Sequence, residues 1–195
     1  MVFKDKDPNV CFTSVAEFDT PVPRFVVGGL SKNFMLPGWR LGWVLLVDAA
    51  GCAKDLLRAM HNISSIALGP NHVVQGALPD ILANAPDSYF ARCTEELRVN
   101  AVALADAIHT CPGLSCVAPQ GAMFIMVKID LSLFRDIGND VEFYEKLHDE
   151  ENVQVAPGSF FHMPNYFRIV VYRPKNVTDE AIRRIRDFCV RHQKT

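Results

Sequence analysis

Two short apolar runs joined by an irregular link constrain this chain more than any other feature. Residues 25–29 and 41–47 are rich in β-branched and aromatic side chains, and the second run is apolar at nearly every position. A run without polar alternation predicts a strand covered on both faces, and therefore a sheet with helices against it, an α/β fold. Between the runs lie Gly28, Gly29, Pro37 and Gly38. They break any regular element and let backbone come close to a neighbouring group.

The rest of the chain supplies the helices. Residues 52–67 read as one helix. Gly69 and Pro70 reset the chain before a second helical run from about Asn71, which Pro79 is expected to kink. Phe90, Cys93, Leu97, Ala101, Leu104 and Ile108 recur at spacings of three and four, the stripe of a long amphipathic helix. Cys111, Pro112 and Gly113 end it. Beyond that break, residues 123–129, 153–156 and 167–172 read as strands, with a helix over roughly 140–149. A final helix is expected to open at Thr178 as N-cap, with Asp179 and Glu180 in its first turn and Ile182, Ile185, Phe188 and Cys189 facing inward. The predicted division places residues 1–95 in one domain and 96–195 in a second, smaller α+β domain, joined by the long helix.

The link between the first two strands carries the chemistry. Lys32 follows the first run and Arg40 precedes the second. Burial at such a turn lowers a lysine's pKa and supplies the neutral amine that attacks a carbonyl. An arginine suits a phosphate, which it grips through two parallel hydrogen bonds. An amine for an aldehyde and a guanidinium for a phosphate together describe a site for pyridoxal 5'-phosphate (PLP). On residue types alone the commoner reading is a solvated surface lysine and an arginine capping a sheet edge.

Ser31, Lys32 and Asn33, followed by Pro37, Gly38, Trp39, Arg40, Leu41 and Gly42, resemble the cofactor-lysine signature of fold-type I PLP-dependent aminotransferases, and the pattern is most like that of the tyrosine aminotransferases. The resemblance implies that Lys32 is the covalent tether of PLP and then the general base, and that Arg40 binds the cofactor phosphate. Many members of the family carry Ser or Thr three residues before the lysine as a phosphate ligand. Here that position is Gly29, and Ser31 is the hydroxyl at hand.

Arg168 forms the second charged site. It lies within an aromatic and β-branched strand flanked by Tyr166, Phe167 and Ile169, where an unpaired guanidinium is costly. On sequence alone a structural ion pair with a distant acidic residue ranks first, and a bidentate clamp on a substrate carboxylate second. The segments 121–126, 155–160 and 166–173 resemble, in the same order, the small domain of the same family. That resemblance implies that Arg168 binds the α-carboxylate of an amino acid. Arg173, five residues on, faces the other way and reads as surface or structural. Gly121 and Gly158 serve equally as turn glycines or as points of backbone approach to a ligand.

The resemblance therefore implies transamination: an aromatic amino acid, tyrosine, exchanges its amino group with a 2-oxo acid such as 2-oxoglutarate, in a cytoplasmic homodimer, with a mitochondrial location left open. It also implies that the chain corresponds to the C-terminal half of such an enzyme, holding part of the large-domain sheet. The partner of the pyridine nitrogen and the aromatic residue stacked on the ring are then expected outside it. On that reading the chain alone is nearly inactive, with an uncovered edge and apolar face at its first two strands. Two other readings stay open: a PLP lyase of the same fold (a C–S lyase or an aminocyclopropane carboxylate synthase) and a non-catalytic PLP-sensing module.

Composition excludes more than it identifies. A net charge of −2 leaves no basic footprint for nucleic acid, and the basic residues from 183 to 194 read as one helix's wet face. No apolar run approaches the roughly 20 residues that cross a bilayer, and residues 1–8 do not read as a signal peptide. The six cysteines lack metal-ligand spacing and read as reduced thiols, mostly buried, so no metal is expected. The sequons at Asn62 and Asn176 are then coincidental.

Overall fold

The computed structural model describes residues 2–3 and 12–194. Their contacts divide into two units, residues 12–92 and residues 93–194 with Val2 and Phe3.

In the first unit, β1 (Arg24–Gly29) runs into a single helical turn, α1 (Leu30–Asn33), and the chain returns as β2 (Gly42–Val47). The strands pair antiparallel, from Arg24 opposite Val47 to Gly29 opposite Gly42. Helix α2 (Lys54–Ile66) follows Asp48, whose carboxylate accepts from the Ala53 and Cys52 amides at 2.9 and 3.1 Å. Helix α3 (His72–Asn84) is capped by Asn71, which accepts from Val73 and Val74, and it contains Pro79, so one turn lacks its amide donor. The expected cover on both faces of the hairpin is absent among the described residues. Val27, Val44 and Leu45 are 78, 45 and 54% exposed. The apolar run encodes burial that a two-stranded ribbon cannot provide for itself.

Helix α4 (Asp87–Ile108) begins in this unit and continues into the second. There Cys93, Leu97, Ala101, Leu104 and Ile108 are all buried, as their spacing predicts. The second unit is built on an antiparallel sheet of order β3–β4–β6–β5, formed by β3 (Leu114–Cys116), β4 (Phe124–Ile129), β5 (Ala156–Pro157) and β6 (Tyr166–Val170). Helices α5 (Asp140–Glu151) and α6 (Lys175–His192) supply its other main elements. Alternation decides which side chains face the core. Ile125, Val127 and Ile129 of β4 and Phe167 and Ile169 of β6 are buried, while Met126 and Arg168 lie opposite each other on the other face. Phe143 of α5 stacks on Phe167 at 5.4 Å and meets Phe188 of α6 edge-on at 5.2 Å, and all three rings are fully buried.

Two expectations shift, and one strand was not expected. The final helix starts at Lys175, not after Thr178: the Val177 and Thr178 amides both donate to the Pro174 carbonyl, so the first turn closes on Pro174. The expected strand over 153–156 shrinks to Ala156 and Pro157, opposite Arg168 and Phe167. The short strand β3 carries too little alternation to be read in advance.

One ionic cluster ties α6 to the rest of its unit. His192 is 6% exposed, and its two ring nitrogens face Asp136 at 2.8 Å and Glu150 at 3.0 Å. Lys146, and then His192, hold the Asp136 carboxyl down at about 2, from an ordinary 3.8. A carboxyl whose folded pKa lies below its unfolded value stabilises the fold above the unfolded pKa. That contribution is lost as pH falls from 3.8 through about 2. Thermal melts across that window should show the parent losing stability more steeply than Asp136→Asn. Parallel slopes would remove Asp136 from the acid response.

Candidate functional site

The hairpin connection is pinned from within by two leucines. Leu30 and Leu41 are buried, the Leu30 amide donates to the Leu41 carbonyl at 3.1 Å, and Leu36 donates back to Leu30 at 3.1 Å. With Leu30 turned inward, the turn sets Ser31 half-buried and Lys32 outward. The Trp43 indole lies against Gly28, where a Cβ would collide with its ring nitrogen, and a Cβ on Gly29 would come within 3.2 Å of the Leu41 carbonyl. Gly28 therefore makes room for the indole, and Gly29 lets the paired backbones approach without crowding. From α4, the Tyr89 hydroxyl donates to the Phe34 carbonyl at 2.8 Å, and Phe90 meets Phe34 edge-on at 5.2 Å. Tyr89 is a support that sequence reasoning missed, because its partner lies 55 residues away.

Arg40 has a left-handed backbone, φ 51° and ψ 36°, and its Nη1 donates to the Pro37 carbonyl at 3.1 Å. Such a conformation costs a non-glycine residue about 1 kcal/mol or more, so the surrounding turn holds it there. Ser31, Lys32 and Arg40 thus share one connection, closed by the pairing of Gly29 with Gly42. The amine is a nucleophile for an aldehyde and the guanidinium a donor for a phosphate, so the residue types on this connection are ones PLP can use. The burial expected around Lys32 is not supplied by the described residues: its side chain is exposed.

Arg168 lies in the second unit. Its guanidinium carbon sits 4.3 Å from the ring centres of both Phe124 and Phe161. Among the described residues no Asp or Glu forms an ion pair with it. Among the described residues, the structural ion pair that ranks first on sequence is therefore not formed. Two rings at stacking distance attract the cation through their π faces, while the N–H donors, which lie in the guanidinium plane, can still meet a planar carboxylate. Arg173, beyond the end of β6, is exposed. Gly158 serves the turn: a Cβ there would collide with the Met163 carbonyl.

Asp140 is the residue here that sequence reasoning passed over. Only 1% exposed, it accepts from the Ser159 amide and hydroxyl at 2.8 and 2.6 Å, and from the Asn165 amide at 3.1 Å. Burial pushes its carboxyl upward, and the Ser159 and Asn165 donors outweigh that and hold it below the usual range.

Among the described residues no helix is long and apolar enough to cross a membrane, and the five described cysteines are all free thiols, with Cys93, Cys111 and Cys189 buried. The family described as aminotransferase class I and II matches residues 1–185. The chain is 38% identical over 193 residues to the tyrosine aminotransferase of Mus musculus, covering 98% of this chain and 42% of that protein. The crystal structure of tyrosine aminotransferase from Leishmania infantum superposes with a TM-score of 0.90 at 42% identity, over 100% of this chain and 47% of that one. An alanine aminotransferase from Pyrococcus furiosus gives 0.86 at 27% identity, over 98% of this chain and 47% of its own. The chain therefore spans less than half the length of the proteins it matches.

Proposed function

The chain belongs to the aminotransferase class I and II family, and from that premise we propose that the full-length protein carries out PLP-dependent transamination of an aromatic amino acid, tyrosine, with a 2-oxo acid such as 2-oxoglutarate. The likeness to tyrosine aminotransferases from a mammal and a protozoan supports the reaction class and the substrate. The observation that carries the reading is the hairpin connection, one short segment between paired strands that carries both Lys32 and Arg40.

In this reading residues 1–95 belong to the large cofactor domain and 96–195 form the small domain. Lys32 tethers the cofactor, Arg40 binds its phosphate, and the Ser31 hydroxyl adds a donor to the same phosphate. PLP, when bound, supplies the electron sink that stabilises negative charge at the substrate Cα. Lys32 Nζ would take the proton from that Cα and deliver it to C4′ of the cofactor, as a general base and then a general acid. Arg168 holds the substrate α-carboxylate in the plane of its guanidinium, which fixes where the Cα–H bond points. Phe124 and Phe161 beside it give aromatic surface for an aromatic side chain. The working form is a homodimer in the cytoplasm.

An assay of the full-length protein with PLP, tyrosine and 2-oxoglutarate tests the reading. Glutamate and the aromatic 2-oxo acid are expected in equal amounts, with no 2-oxo acid accumulating beyond one turnover when 2-oxoglutarate is withheld. Steady product formation without 2-oxoglutarate would place the protein among the lyases. Cofactor binding without turnover of any amino acid would make it a sensor.

A further inference from the structure

Arg168 is held by two rings of different origin. Phe124 sits on β4, opposite Val170 of β6, so the sheet ladder fixes its place. Phe161 lies in the 3-10 turn Gly158–Phe161 between β5 and β6, which no strand ladder holds. That turn is nevertheless tightly specified. His162 and Asn165 have left-handed backbones, at φ 56° and 65°, and Gly158 has no room for a side chain. The turn's backbone closes on itself, His162 donating to the Ser159 carbonyl at 3.1 Å and Met163 to that of Gly158 at 2.9 Å, and the Asp140 carboxylate at the start of α5 ties the turn to the helix. One of its oxygens takes the Ser159 amide and hydroxyl at one end of the turn, and the other takes the Asn165 amide at the far end. Phe161 lies between those two anchor points.

A buried carboxylate is expensive unless its lone pairs are filled. Asp140 is buried and, among the described residues, forms no ion pair with any cation. Its charge is spent on three hydrogen bonds from one turn, each stronger than a neutral acceptor would make. We propose that Asp140 is a positioning residue for Arg168: by tying the turn at Ser159 and Asn165 it holds the Phe161 ring on the guanidinium, and so presents Arg168 to the substrate carboxylate. The inference rests on the reading of Arg168 given above and extends it to a residue that touches neither substrate nor cofactor.

The test uses the full-length holoenzyme with Asp140→Asn, Phe161→Leu, the two combined, and Arg168→Ala. Asparagine keeps the shape but brings two N–H donors toward a turn that already donates. Losing a well-placed cation–ring contact should raise the amino-acid KM by about threefold to thirtyfold in the Asp140→Asn and Phe161→Leu variants. PLP content should stay near the parent's in all of them, and kcat near the parent's in Asp140→Asn. Because Phe161 carries the effect, the double variant should be no worse than the weaker-binding single one. Lowered melting temperature with unchanged KM would make Asp140 a purely structural residue, and additive effects would exclude the route through Phe161. If Asp140→Asn does not fold, Ser159→Ala, which removes one of the three bonds, stands in for it under the same criteria. An Arg168→Ala enzyme with unchanged KM would overturn the reading of Arg168 itself. A raised KM there, with parent values in the Asp140 and Phe161 variants, would overturn this inference alone.

Discussion

Replacing Lys32 by alanine in the full-length protein is expected to cut turnover by on the order of 10⁴-fold while leaving the fold intact. The size follows from the role: a positioned base that moves the proton itself is worth up to about 10⁴, and the covalent tether is lost with it. The intact fold follows from exposure. Lys32 projects outward from a turn anchored by the buried Leu30 and Leu41, so its truncation should change stability by no more than about 0.5 kcal/mol. A melting temperature equal to the parent's, with activity gone, would separate chemistry from folding. Borohydride reduction of the PLP-loaded parent, followed by peptide mapping, should place the label on Lys32. Label on Lys54 or Lys128, with Lys32 clean, would remove it from the mechanism whatever the alanine variant does.

Lys32 could be singled out only through the resemblance of the run around it to a family signature, whereas the core positions legible in advance carry a periodic local signal. The stripe from Phe90 to Ile108 could be read because a long helix repeats its signal over several turns; five of its six positions are buried, and Phe90 at its start is half-buried. The two-residue strand β5 repeats nothing, and its existence depends on Arg168 and Phe167 across the ladder. The start of α6 was misplaced because Thr178 is a good cap by type, whereas Pro174 ends the preceding extended segment and offers the first carbonyl. Arg168 could be singled out as a charge in an apolar strand, but not its company. The ion-pair expectation followed from the cost of a bare buried charge, and the two rings from β4 and the 158–161 turn meet that cost by another route. Asp140 was invisible for the same reason. In sequence it is one more acid in a helix's first turn, and its partners lie 19 and 25 residues away.

Arg168 and Arg40 should separate in kinetics as they do along the chain. Arg168→Ala removes a bidentate, charge-assisted contact to the substrate, a loss of about 2–5 kcal/mol, or about thirtyfold to several thousandfold in kcat/KM for the amino acid. It should leave PLP occupancy near the parent's, because no part of the cofactor's proposed grip lies on β6. Arg40 requires a different control, since its backbone is left-handed at φ 51° and alanine at that position would confuse lost charge with strain. Glycine accepts that conformation freely, so Arg40→Gly removes the guanidinium without imposing strain. The Arg40→Gly protein should release PLP on dialysis and regain activity with excess cofactor, at an amino-acid KM close to the parent's. The opposite pattern, in which Arg40→Gly keeps its PLP but binds the amino acid weakly, would mean that the two guanidinium roles have been exchanged. An Arg168→Ala enzyme with parental KM and kcat would leave the ring-stacked arginine as a structural feature of the sheet face.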